Sequence, residues 1–106
     1  METTTFNKLV RDRIPEIIER AGKRATVETL SDADFLAAVD AKLQEELDEY
    51  LASGDTTELA DLLETLYAAA SARGVGVDEL ERIRLKKREE RGGFELKLFL
   101  KEVISD

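Results

Sequence analysis

The sequence of 106 residues contains no cysteine and no histidine, and these two absences exclude many kinds of functional site. Disulfide frameworks, cysteine nucleophiles, zinc sites built on thiolate or imidazole, and catalytic triads that use histidine all need one of these residues. A metal ion bound by this chain must therefore be a hard cation that is held by oxygen ligands.

Basic residues are also scarce, since 16 lysines and arginines stand against 24 aspartates and glutamates and give a net charge of −8. Nonspecific binding of nucleic acid needs a basic face, so we expect no nucleic-acid partner. The sequence has no run of about 18 apolar residues, and its start lacks the apolar region of a signal peptide. We therefore expect a cytoplasmic protein without membrane contact, folded as a single domain over residues 1–106 around one core.

The acidic residues are concentrated in the middle of the chain. Residues 31–66 contain eleven acids and one base, Lys42, whereas residues 82–91 contain six bases and two acids. Blocks of like charge are usually solvated faces, and this interpretation stays open beside a functional one.

Capping residues and apolar spacing predict two long helices in the acidic region. Ser31 is suited to cap a helix that ends at Gly54, and the apolar residues between them form one stripe at helical spacing. Asp55 is suited to cap a second helix, which ends near Gly74. Because the connection is so short, the two helices are predicted to pack as an antiparallel helical hairpin.

Shorter elements are expected on both sides of this hairpin. Pro15 and Gly22 mark the ends of a short first helix, and a further helix is predicted over residues 77–91. Residues 24–30 and 94–103 are candidates for short extended segments near the termini, the second of them as a strand or a docking tail. The predicted fold class is all-α, resembling a four-helix bundle, in an oligomer that covers the apolar stripe of the hairpin.

Four carboxylates of the hairpin are candidates for a metal site. At about 100° per residue, Glu46 and Glu49 lie about 60° apart on the first long helix, and Glu46 flanks its apolar stripe. Glu58 and Asp61 share a similar sector of the second helix, which is apolar almost all round and is expected to be buried. Buried carboxylates without a cation would cost several kcal/mol, and a divalent metal ion is the simplest compensation.

The antiparallel arrangement allows these two pairs to face each other as ligands of one or more Mg²⁺ ions. A second interpretation stays open, in which Glu58 caps its own helix and Asp61 pairs with an arginine from elsewhere in the fold. Glu45 points away from the apolar stripe, so its angular position indicates a solvated charge.

The acidic residues belong to two motifs, EExxE at residues 45–49 and ExxD at residues 58–61. Their combination on a helical hairpin resembles the MazG-like superfamily of all-α nucleotide pyrophosphohydrolases. The segments KLVRD at residues 8–12 and KREERGGF at residues 87–94 are similar to its phosphoribosyl-ATP pyrophosphohydrolase-like branch. The stretch between the two acidic motifs is shorter here than is usual in that superfamily.

This resemblance implies a Mg²⁺-dependent hydrolase, with Mn²⁺ as a substitute, that cleaves a nucleoside triphosphate between the α and β phosphates. The products would be a nucleoside monophosphate and pyrophosphate, and a role in clearing noncanonical nucleotides would follow. The implied metal ligands are Glu46, Glu49, Glu58 and Asp61. The implied catalytic carboxylates are Glu45, Glu46 and Glu49, with Glu45 as an outer or additional ligand.

A triphosphate also needs cationic contacts beside so many carboxylates. Lys87 and Arg91 share one helix face, and Gly92 and Gly93 would let backbone N–H groups approach a phosphate closely. Cations and glycines are also ordinary features of a helix C-terminus, so a structural role stays open. The resemblance adds Lys8 and Arg11. The predicted substrate contacts are therefore Lys8, Arg11, Lys87, Arg91, Gly92 and Gly93.

Other functions and partners stay open at this point. The alternatives are phosphoribosyl-ATP hydrolysis in histidine biosynthesis and a noncatalytic helical interaction module. The resemblance implies a homodimer or a higher homo-oligomer, with a nucleotide as the substrate. Phe6, Tyr50 and Phe94 are candidates for a base pocket, although core packing is the favoured interpretation for each.

Overall fold

Four α-helices and no strand make up the regular structure of residues 2–105, the part of the chain that the computed structural model describes. The helices are α1 (Ile14–Arg20), α2 (Asp32–Ser53), α3 (Thr56–Ala72) and α4 (Val77–Arg91). The all-α prediction is confirmed, and the long helices begin and end within two residues of their predicted limits. None of these helices combines the length and the apolar character that a membrane crossing requires.

The ends of α2 are set by local capping, as predicted. The Ser31 hydroxyl accepts a hydrogen bond of 3.2 Å from the backbone N–H of Asp34. At the other end Gly54 adopts a left-handed conformation with φ of 67°, which glycine accepts at little cost, and its N–H donates to the carbonyl of Tyr50. These two residues therefore provide local signals for both ends of α2.

Asp55 caps α3, and Glu58 lies at the third position of the helix, as predicted. The Asp55 carboxylate accepts a hydrogen bond of 2.9 Å from the Thr57 N–H and one of 3.0 Å from the Thr57 hydroxyl. The hydrogen bond from the backbone N–H, and then that from the hydroxyl, lowers the pKa of Asp55 below its ordinary value. The charged form of the cap is therefore the one that stabilises α3.

Replacing Asp55 by Ala should lower the Tm at neutral pH by a few degrees, because α3 loses a charged acceptor in its first turn. Since folding depresses the pKa of Asp55, its stabilisation is complete above the pKa of the unfolded chain, about 3.9, and is lost as the pH falls through the folded-state value. Thermal unfolding followed by circular dichroism should give a Tm difference that shrinks in acid. The D55N variant, which keeps a neutral acceptor, should lose less, and a pH-independent difference would contradict an ionised cap.

The two long helices form the predicted antiparallel hairpin. Most contacts between helices join α2 and α3, and α4 contacts α3 over a short stretch, whereas α1 makes no close backbone approach to another described helix. An ion pair of 3.1 Å joins Asp40, in the third turn of α2, to Arg73, the residue that follows the end of α3. The hairpin therefore brings the middle of α2 opposite the first turns of α3.

The single chain leaves much of α3 exposed, and the expected burial of this helix in an oligomer stays a prediction. Among the described residues Val39 is the one buried apolar side chain, while Leu59, Leu63 and Leu66 of α3 are 42–46% exposed. The chain is elongated, with extents of 70 × 31 × 23 Å and a radius of gyration of 18.7 Å, against about 13 Å for a globular chain of this length. The physical reason is that α2 covers one face of α3 and α4 contacts it over a short stretch only, which leaves the rest of α3 exposed.

The two predicted extended segments contain no strand. Residues 24–30 and 94–103 form neither helix nor ladder, because no described strand lies beside them to accept or donate the hydrogen bonds of a sheet. The last segment is also uncovered, since the large apolar side chains between Phe94 and Ile104 are 78–96% exposed. Its interpretation as a docking tail stays a prediction.

Candidate metal centre

Three acidic side chains converge where α2 faces the start of α3. One carboxylate oxygen each from Glu46, Glu58 and Asp61 lies within 4.8 Å of the other two. Glu46 is contributed by α2, and the other two residues lie one turn apart on α3. Three of the four carboxylates selected from the sequence are thus close enough to share one cation.

Glu46 is the buried member of this group. It is 6% exposed, and its Oε2 atom is buried without a hydrogen-bond partner among the described residues. Its other oxygen, Oε1, lies 3.2 Å from the Lys42 ammonium. A buried carboxylate oxygen with no partner is costly, and a hard divalent cation would satisfy it together with Glu58 and Asp61. The donor set therefore fits Mg²⁺ and, in the same way, Mn²⁺.

Glu49, the fourth predicted ligand, does not join this group. It lies one turn beyond Glu46, close to the end of α2, and is exposed. A role of Glu49 as a ligand or as a catalytic base stays a prediction.

Two of the predicted substrate contacts lie beside the acidic residues. The Arg11 guanidinium donates a hydrogen bond of 2.8 Å to Asp61 Oδ1, and the Lys8 ammonium donates one of 2.9 Å to Glu45 Oε1. The second interpretation of Asp61, that it pairs with an arginine from elsewhere in the fold, is thus confirmed for this residue. Because both cations are 40–56% exposed, each is accessible to an anionic ligand.

The expectation that Glu45 is a solvated charge is wrong. Its side chain is 28% exposed, because the N-terminal segment covers this side of α2 and places Lys8 against it. Lys42 approaches the same oxygen at 3.3 Å. The hydrogen bond from Lys8 is the main cause of a lowered pKa of Glu45, and the same bond raises the pKa of Lys8. Glu45 is therefore ionised at neutral pH and held in place by two cations.

The remaining predicted substrate contacts lie on the far part of α4. Lys87, Arg91, Gly92 and Gly93 are all exposed, and no ion pair or hydrogen bond among the described residues joins them to the acidic group. The part of α4 that shares a groove with α2 and α3 is its first two turns, with Leu80, Glu81 and Arg84. Contact of these four residues with a substrate stays a prediction.

The aromatic candidates for a base pocket differ in their surroundings. Phe6 and Phe94 are 69% and 96% exposed, so their favoured interpretation as core residues is wrong for the single chain. The Lys8 ammonium lies 5.7 Å from the centre of the Phe6 ring, within the range of a cation–π contact. Tyr50 is half-buried.

The structure also contains an open apolar groove of about 460 Å³, which the sequence did not reveal. Ion pairs between Asp40 and Arg73 and between Glu81 and Arg84 flank it. Its apolar lining includes Leu43, Leu63, Leu66, Tyr67, Ala70 and Leu80. The groove lies among α2, α3 and α4 and is separate from the acidic group.

Comparisons with known proteins add one relative. Neither a family model nor a solved structure matches the chain. Over 53 residues the chain is 51% identical to an uncharacterized protein of Mycolicibacterium smegmatis, a stretch that covers 50% of this chain and 53% of the relative. The chain thus spans about half the length of the curated relative that it matches. The function proposed below therefore depends on the site and on the motifs of the sequence.

Proposed function

We propose that this protein is a Mg²⁺-dependent nucleoside triphosphate pyrophosphohydrolase, which hydrolyses the α–β phosphoanhydride to a nucleoside monophosphate and pyrophosphate. The observation that carries the proposal is the convergence of Glu46, Glu58 and Asp61 around a buried carboxylate oxygen that has no partner. The order of the EExxE and ExxD motifs, which resembles the MazG-like superfamily, supports the choice of reaction. Removal of noncanonical nucleotides from a cytoplasmic pool is the role that fits such an activity.

In this proposal the three carboxylates hold the cation through oxygen atoms that already lie close together. When bound, Mg²⁺ supplies positive charge that counters the charge of the triphosphate and makes water a better nucleophile. Glu46 is rigidly placed because its side chain is buried on α2. Asp61 becomes available once the exposed Arg11 turns from it to a phosphate oxygen.

The remaining charged groups have separate parts in the proposed reaction. Arg11 and Lys8 are exposed cations at the acidic group, suited to counter the charge of the substrate. Glu45 keeps Lys8 close to the site through their hydrogen bond. Glu49 is exposed one turn from Glu46 and is free to accept the proton of the attacking water.

Self-association is the second part of the proposal. Leu59, Leu63 and Leu66 lie along α3 and are each more than two fifths exposed in the single chain. Apolar side chains that are contiguous and exposed mark surfaces at which proteins associate. We therefore infer a homodimer or a higher homo-oligomer. These same surfaces favour a noncatalytic interaction module as the alternative function.

A nucleotide panel with pyrophosphate detection tests the proposed activity. The panel contains the standard ribonucleoside and deoxyribonucleoside triphosphates, noncanonical triphosphates and phosphoribosyl-ATP, each with Mg²⁺ and with a chelator. We expect pyrophosphate from at least one compound, dependent on Mg²⁺. Pyrophosphate release from phosphoribosyl-ATP alone would assign the protein to histidine biosynthesis. If no compound releases pyrophosphate, the proposed activity is wrong and a noncatalytic interaction module becomes the favoured function.

A further inference from the structure

Lys42 is the single base between residues 31 and 66, and it lies beside the candidate metal ligands. Its ammonium is 3.2 Å from Glu46 Oε1 and 3.3 Å from Glu45 Oε1, and its side chain is 15% exposed. The spacing from Lys42 to Glu46 is one helical turn, so both side chains project from the same face of α2. Lys42 therefore lies directly beside the acidic group, on the helix that contributes Glu46.

The three basic side chains around the acidic group differ in how freely they can move away from its carboxylates. Lys8 and Arg11 belong to a segment without regular structure, and their side chains are about half exposed. Lys42 is largely withdrawn from water and is anchored on the helix that carries its partner. A substrate can attract the first two cations away, whereas Lys42 is held beside Glu46 by the helix that carries both residues.

The geometry at Lys42 fits charge compensation rather than orientation of Glu46. Its ammonium is shared between two carboxylates at nearly equal distances, and lysine acts as a compact point charge on a flexible stem. It touches Glu46 Oε1 and leaves Oε2, the atom without a partner, to another cation. A positive charge this close to the ligands also repels a divalent ion.

We propose that Lys42 is the built-in counter-cation of Glu46, which stabilises the hairpin without metal and lowers the affinity of the site for a divalent cation. The inference rests on the proposed metal site of Glu46, Glu58 and Asp61. When no metal is bound, the buried carboxylate of Glu46 needs another positive charge beside it, and the Lys42 ammonium supplies that charge. The same charge keeps the cation exchangeable, which suits a site where the cation and an anionic substrate meet.

The test is a Mg²⁺ titration of the Lys42→Met variant by isothermal calorimetry, together with thermal unfolding in the presence and absence of Mg²⁺. Methionine keeps the length of the side chain and removes its charge. We expect the Kd for Mg²⁺ to fall at least about fivefold, the lower end of the usual coupling between two binding events. Without Mg²⁺ the Tm should fall, and saturating Mg²⁺ should remove most of this difference, because a ligand that binds the folded state stabilises it.

Two control variants separate charge compensation from other effects. Lys42→Arg keeps the charge and should keep a Kd close to that of the unmodified protein. Lys23→Met removes one exposed positive charge outside the hairpin, so it changes the net charge by the same amount as Lys42→Met. It should leave the Kd for Mg²⁺ unchanged. If Lys42→Met does not fold without Mg²⁺, the same titration is made with Lys42→Gln.

Four outcomes overturn the inference. An unchanged Kd, or a Tm that falls equally with and without Mg²⁺, would mean that Lys42 is a packing residue only. A weaker affinity would mean that it orients Glu46 instead of opposing the metal. Absence of Mg²⁺ binding by the unmodified protein would remove the metal site and this inference together, whereas tight binding without pyrophosphate release would contradict the proposed reaction and leave the role of Lys42 intact.

Discussion

The double variant Glu46→Gln, Asp61→Asn is expected to lose Mg²⁺-dependent pyrophosphate release by at least about 100-fold. Loss of groups that merely support metal ligands costs 10- to 100-fold, and these substitutions change two ligands themselves. The two amides preserve the shapes of the side chains, and the Asp61→Asn change keeps an acceptor for Arg11. Steady-state assays with the best substrate of the nucleotide panel measure the loss.

The fold of this double variant should persist. Lys42 keeps Glu45 as a charged partner when Glu46 is neutralised, and Arg11 keeps an acceptor on Asn at position 61, so the Tm in a chelator should change little. The matched control is Asp48→Asn, Glu64→Gln, which neutralises one exposed acid on each helix of the hairpin outside the acidic group. Equal loss of activity in both double variants would contradict a specific metal site.

The second large effect is expected for the Leu63→Glu, Leu66→Glu variant, which should be a monomer. Both leucines are more than two fifths exposed in the single chain, and an interface that covers them cannot accept two unpaired charges. Light scattering after size-exclusion chromatography should give at least twice 11.9 kDa for the unmodified protein and 11.9 kDa for the variant.

The control for this variant is Ser71→Glu, which adds a charge at an exposed polar position of the same helix. It should keep the mass of the unmodified protein. A mass of 11.9 kDa for the unmodified protein at micromolar concentration would remove the inferred oligomer. An unchanged mass of the leucine variant would place the interface elsewhere, for example on the exposed apolar side chains after Phe94.

Local features of the sequence determine the helices, which is why their limits could be predicted. Ser31 and Asp55 cap the two long helices through hydrogen bonds to residues two or three positions away, and Gly54 ends the first. The burial of α3 could not be predicted in the same way. It depends on what lies opposite Leu63 and its neighbours, and helical spacing shows which face is apolar without showing what covers it.

The acidic group was accessible to sequence reasoning because helical geometry and the short connection place Glu46 opposite Glu58 and Asp61. The cations around it were harder to place. Lys8 meets Glu45 across 37 positions, and Arg11 meets Asp61 across 50, distances over which no local rule applies. Lys42 lies four positions before Glu46, a spacing typical of helical ion pairs, and this signal would have indicated its role.

The central claim is that Glu46, Glu58 and Asp61 hold a divalent cation where α2 faces the start of α3. An anomalous difference map from crystals grown with Mn²⁺, which substitutes for Mg²⁺ at oxygen ligands, tests it most directly. We predict a Mn²⁺ peak in contact with carboxylate oxygens of all three residues, including Glu46 Oε2. A map in which Mn²⁺ lies elsewhere, with Arg11 still on Asp61 and Glu46 Oε2 still without a partner, would contradict the claim.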